Sequence, residues 1–112
     1  ETIKQLTTDH SMVQVLVERG QITEWEAKVH PDKNLITRAL GVNETIETDY
    51  CAYELSAEDK VLLCTDGLSN YLEDEEMFSF INNTSEDPLQ QLIDAANQKG
   101  GGDNITAVLI YE

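Results

Sequence analysis

The chain is 112 residues long and carries 22 acidic against 7 basic side chains, a net charge of −15. That length suffices for one small domain, and 40% hydrophobic residues permit a core in spite of the acidity. So negative a surface repels nucleic acid and anionic membranes, which are bound chiefly by basic side chains meeting phosphates, so neither is expected as a partner.

The charge is uneven. Residues 1–41 hold six acids and five bases, whereas the remainder holds sixteen acids and only Lys60 and Lys99 as bases. Such asymmetry points to a cation or phosphate site near the junction, or simply to a solvated acidic face. Cys51 and Cys64 have no metal-ligand spacing and no CxxC, and they read as small core residues of a reducing, cytoplasmic compartment. No run approaches the ~18 apolar residues of a membrane span, and no charged-then-apolar leader opens the chain. It starts at Glu1 rather than Met and reads as a piece of something longer.

In chain order, Ile3 to Thr7 reads as a short strand. Thr8-Asp9 offers an N-cap for a helix with Met12, Val13, Leu16 and Val17 on one face, which Gly20 stops. Thr23-Glu24-Trp25-Glu26 is a capping-box pattern for a second, short helix that His30-Pro31 ends, because the residue before proline avoids the α region. His30 to Gly41, with Lys33 and Arg38, is then extended or looped. Thr48 to Leu55 and Lys60 to Cys64 read as strands of a hairpin closed by Ser56-Ala57-Glu58-Asp59, and Val61 to Cys64 lacks alternation, as a strand buried on both faces does. A helix led by Glu73, Asp74, Glu75 and Glu76 follows, its acids suiting the positive end of the helix dipole. Pro88 suits the first turn of a helix with Leu89, Leu92, Ile93 and Ala96 on one face, ended by Lys99-Gly100. Gly100-Gly101-Gly102 leads through Asp103-Asn104 into a closing strand, Ile105 to Tyr111. No internal repeat appears, and the expected class is α+β, with helices on one face of the strands and a second sheet on the other.

Two short acids stand at the mouths of apolar strands: Asp66, in Thr65-Asp66-Gly67, and Asp103, in Gly101-Gly102-Asp103-Asn104. If those strands pair antiparallel, the carboxylates converge, and either a raised pKa or a bound cation relieves their repulsion. Carboxylate oxygens suit Mg²⁺ or Mn²⁺ better than zinc. Asp-Gly is also an ordinary turn signal, and Gly-Gly-Asp-Asn is what a helix C-cap followed by a turn looks like. An EF-hand counted from Asp66 fails, since its sixth position is Tyr71 and its twelfth Met77. Arg38 has the chemistry to clamp a phosphate with two parallel bonds or to form an ordinary salt bridge. His10 and His30 have no ligand or triad spacing and read as surface or capping residues. No GxSxG or P-loop activates a nucleophile.

Four blocks then form a pattern: Leu6-Thr7-Thr8-Asp9-His10-Ser11, His30-Pro31 with Asn34 to Gly41, Leu62 to Leu68, and Gly101-Gly102-Asp103-Asn104-Ile105-Thr106. In that order they resemble the C-terminal half of bacterial type 2C (PPM family) metal-dependent Ser/Thr protein phosphatases, across essentially all of residues 1–112. The resemblance implies part of an α-β-β-α sandwich of two antiparallel sheets flanked by helices. It implies two or three Mn²⁺ or Mg²⁺ ions in the complete enzyme, with Asp66 and Asp103 as ligands and the Asn34 backbone carbonyl at a third ion. A flap over about residues 23–40, with Lys33 and Arg38, would border a phosphorylated protein substrate. The implied chemistry is phosphoserine and phosphothreonine hydrolysis by a metal-bridged hydroxide, which needs no enzyme nucleophile. The family's N-terminal metal-binding blocks are absent from these residues, so the chain alone is expected to be inactive, with weak or no ion binding. Its unpaired strand edges are expected to join the missing half or a second copy. The alternative is a non-catalytic, phosphatase-derived binding module with an acidic interaction face.

Overall fold

Polar side chains at helix starts set much of the regular structure in the computed structural model, which describes residues 2–83 and 87–112. The chain divides into two units, residues 5–52 and residues 1–4 with 53–112.

In the first unit, α1 (Met12–Glu18) begins at Ser11, whose hydroxyl accepts the Gln14 N–H at 3.2 Å. The expected cap at Thr8-Asp9 is therefore displaced. Backbone pairing is the reason: residues 10–12 bond to residues 35–37, Thr37 N–H to the His10 carbonyl at 2.9 Å and Met12 N–H to the Leu35 carbonyl at 3.0 Å. Extended pairing through Ser11 and Ile36 holds the chain out of the helix until Ser11. For α2 (Glu24–Val29) the Thr23–Glu26 capping box forms as the sequence predicts. His30 leaves that helix with φ −67° and ψ 141°, ahead of Pro31, and a turn over residues 31–34 follows.

The second unit runs β1 (Val61–Cys64), α3 (Asp66–Ser69), α4 (Asp74–Ile81), α5 (Pro88–Gln98) and β2 (Ala107–Ile110). Glu73 and Glu76 form a capping box at the start of α4, and Asp87 caps α5 by accepting the Leu89 N–H at 3.0 Å, with Pro88 in the first turn. Strands β1 and β2 pair antiparallel with Val61 opposite Ile110 and Cys64 opposite Ala107. α3 packs against β1 and α5 against β2, and α4 packs on α5. Leu68, Leu72, Met77, Ile81, Leu92 and Ala96 form the core, and Leu62, Ala107 and Leu109 pack onto it from the strands. Leu68 and Leu92 are wholly buried, each contributing about 1.5–3 kcal/mol through removal from water. Lys99, just past α5, reaches back to Glu76 on α4 at 2.6 Å.

Several expectations are corrected. Among the described residues, no strand forms over residues 3–7 or 48–55, and β1 pairs with β2 instead of closing a hairpin. The turn at residues 56–59 does form, with Asp59 N–H on the Ser56 carbonyl at 3.1 Å. Residues 48–55 are exposed throughout, and a strand needs a ladder to satisfy its backbone. Nor is β1 buried on both faces: the ribbon turns Leu63, Val108 and Ile110 outward, each 52% exposed. Both cysteines are exposed rather than in the core, Cys64 at the end of β1 and Cys51 on the uncovered segment. Asp66 to Ser69 make a short helix, α3, which is not among the elements predicted from the sequence.

Candidate metal centre

The register of the ribbon extends one step past β1. Thr65 N–H donates to the Thr106 carbonyl at 3.0 Å, and Thr106 N–H donates to Thr65 Oγ1 at 3.0 Å. Beyond that pair both chains turn away. Asp66 opens α3, and Gly67 lies directly against the Asn104 backbone carbonyl, an approach that a side chain at 67 would block. Asp66 and Asp103 thus flank one backbone contact at the same end of the antiparallel ribbon. Both are exposed, and Asp103 Oδ1 also accepts the Asn104 N–H at 2.7 Å.

The loop that carries Asp103 depends on its glycines. Gly100 (φ 133°) and Gly101 (φ 55°) take backbone conformations that side chains disfavour. Gly102 has no such φ; its hydrogen faces the Tyr71 hydroxyl, with Cζ of that ring 3.2 Å from where a Cβ would stand.

The donors fit a hard divalent cation, being carboxylate oxygens beside exposed backbone. They fit as a part of a site only. Among the described residues, no three or more His, Cys, Asp and Glu side chains gather as a metal cluster. Asn34 and Lys33 lie in the turn over residues 31–34 of the other unit, both exposed.

Arg38 is engaged within its own unit. Its Nη1 donates to Asp49 Oδ1 at 2.9 Å, and its Nη2 lies 3.7 Å from Glu47 Oε2. The second Asp49 oxygen is 2.7 Å from His10 Nε2. The His10 hydrogen bond first, and the Arg38 hydrogen bond second, hold the Asp49 carboxyl below its usual range. Thus the salt-bridge reading of Arg38 is the one observed, around a polar hollow of about 130 Å³ that His10, Ser11, Arg38 and Asp49 help to line. His30 is the capping residue expected, its Nδ1 accepting the Asp32 N–H at 3.0 Å.

Two residues of these arrangements escape sequence reasoning. Asp49 stands 39 residues from His10 and 11 from Arg38, with no local spacing to signal the pairing. Tyr71 stands 31 residues from Gly102, and a glycine triplet by itself does not tell which of its members is crowded by a neighbour.

Two carboxylate side chains thus stand beside one end of a helix-backed antiparallel ribbon on an α+β fold. The relatives specify the kind. The chain is 38% identical over 112 residues to the serine/threonine phosphatase Stp of Listeria innocua, matching 98% of this chain and 44% of that protein. It is 40% identical over 114 residues to the protein phosphatase PhpP of Streptococcus pneumoniae, with 98% and 46% covered. Among solved structures, the Staphylococcus aureus serine/threonine phosphatase Stp1 superposes with a TM-score of 0.90 at 38% identity, covering 97% of this chain and 44% of that one. The catalytic domain of the phosphatase PstP in complex with two manganese ions gives 0.78 at 37% identity, with 95% and 44% covered. No family model matches. The chain is a homologue of the bacterial type 2C Ser/Thr phosphatases, and it spans a little under half the length of the relatives it matches. Among the described residues, no helix is long and apolar enough to cross a membrane.

Proposed function

We propose that the chain is the part of a type 2C phosphatase domain that supplies Asp66 and Asp103, and that the complete domain hydrolyses phosphoserine and phosphothreonine in proteins. The observation that carries this reading is the Gly67–Asn104 contact, which sets the two acids at one ribbon end. When bound there, Mn²⁺ or Mg²⁺ supplies Lewis-acid stabilisation of phosphoryl oxygens and acidifies water. The chain's own contribution is to hold the ions through Asp66 and Asp103. Lys33, on the proposed flap, offers its charge to a phosphopeptide, while Arg38 is held by Asp49 and serves the flap's base. Two carboxylates bind these ions weakly without further ligands, so this chain alone is expected to be inactive. Two free cysteines suit a reducing, cytoplasmic setting.

The outward apolar face of Leu63, Val108 and Ile110 supports docking of the remaining half of such a domain. The test is hydrolysis of p-nitrophenyl phosphate with Mn²⁺ by this chain alone and after addition of the N-terminal portion of the Listeria innocua phosphatase. Background turnover alone and clear turnover on mixing are expected, abolished by Asp103→Asn. A mixed sample that associates and stays inactive refutes the reading. Ultracentrifugation of the chain alone distinguishes a monomer from a dimer joined by strand edges. Calorimetry with Mn²⁺ separates a partial ion site from an acidic binding module, since only the former gives saturable heat that Asp66→Ala removes.

A further inference from the structure

The turn that begins with Asp66 also braces the loop that carries Asp103. After α3 the chain continues in tight turns: Asn70 N–H bonds to the Asp66 carbonyl at 2.9 Å and Tyr71 N–H to the Leu68 carbonyl at 3.1 Å. This carries Tyr71 round to the glycine loop, with its ring partly buried against the core. The residues on either side of Asp103 are therefore both engaged by one segment. Asn104 is met by Gly67 and Gly102 by the Tyr71 hydroxyl, with Cε1 of the ring also 3.9 Å from a Cβ built on Gly100. A loop with glycines at 100, 101 and 102 has little stiffness of its own. What limits its freedom is the surface it rests on.

We propose that Tyr71 is a positioning residue for Asp103: its ring and hydroxyl form the platform on which Gly100–Gly102 lie, and so fix the carboxylate relative to Asp66. The inference rests on the reading of Asp103 as an ion ligand. The groups that orient a ligand typically change metal affinity 10- to 100-fold when lost.

Gly102 supplies the perturbation, because its backbone conformation accepts alanine and the nearest atom its new methyl meets is the Tyr71 hydroxyl. Hydrogen exchange at Gly101 to Asn104 in the metal-free chain, and Mn²⁺-induced broadening of the Asp66 and Asp103 signals, are compared in four proteins: wild type, Gly102→Ala, Tyr71→Phe and the double variant. Gly102→Ala is expected to speed exchange at Gly101, whose amide bonds to the Ala96 carbonyl at 3.4 Å, and to weaken Mn²⁺ binding about tenfold. Tyr71→Phe in the same chain is expected to restore most of both, because the colliding oxygen is gone. A double variant as impaired as Gly102→Ala, or a Gly102→Ala protein indistinguishable from wild type, overturns the platform. Absence of any Mn²⁺ broadening in the wild type overturns the ligand reading instead, and with it the role toward an ion, while the metal-free exchange reports separately on the platform.

Discussion

Gly67→Ala is the sharpest perturbation of the ribbon end. The added methyl would collide with the Asn104 carbonyl oxygen and stand 2.9 Å from its carbon and 3.3 Å from Ile105 Cγ1. Since the obstacle is backbone, no side-chain rotation relieves it, and the loop must retreat by roughly 1 Å. Absorbing that strain in place costs about 1–3 kcal/mol. Opening the ribbon end instead gives up the two Thr65–Thr106 bonds at 3.0 Å, worth about 1 kcal/mol each. Either route costs about 2 kcal/mol. With a urea dependence of about 1–3 kcal/mol per molar, the unfolding midpoint should fall by about 1 M. Exchange at the Thr65 and Thr106 amides should accelerate in the same protein. A midpoint within the scatter of wild type, with both amides still protected, would refute the reasoning, because it would mean that the two acids are not held by this contact.

Three further outcomes follow from the packing and the charges. Leu92→Ala empties a fully buried site and should destabilise the second unit by about 2–5 kcal/mol in urea unfolding. Thr23→Ala removes one half of the α2 capping box and should cost about 1 kcal/mol, seen as lost helical signal and faster exchange at the Glu26 amide. Asp49→Asn should destabilise the first unit near neutral pH, and the difference from wild type should disappear on acidification. The sign follows from a carboxyl whose folded value is lowered: its contribution is complete above the ordinary value of 3.8 and is lost as pH falls through the lower, folded one. High salt should shrink the same difference, since the pairs with Arg38 and His10 are partly exposed.

The two acids stand out in the sequence because each sits beside a strand whose apolar run is local, but that the two strand ends meet rests on the β1–β2 pairing, where the sequence pattern assigns β1 to a different partner. Their supports do not stand out. That Gly67 meets Asn104 and Tyr71 meets Gly102 depends on contacts across more than 30 residues, which no spacing along the chain reports. Arg38 shows the same division. Its charge and its place after Pro31 are plain in the sequence, but the carboxylate that claims it belongs to residues 48–55, whose β-rich composition predicts a strand and not a salt-bridge partner.

By itself, the amino-acid sequence determined α1, α2, α4 and α5 as helices and where two of them begin: the Thr23–Glu26 and Asp87–Pro88 signals act within one turn, where a side chain reaches its own backbone. Only the tertiary structure decided the start of α1, the partner of β1 and the exposure of the cysteines. Strand pairing and burial are properties of neighbours, so a stretch such as residues 48–55, β-rich in composition, stays irregular where no ladder lies beside it.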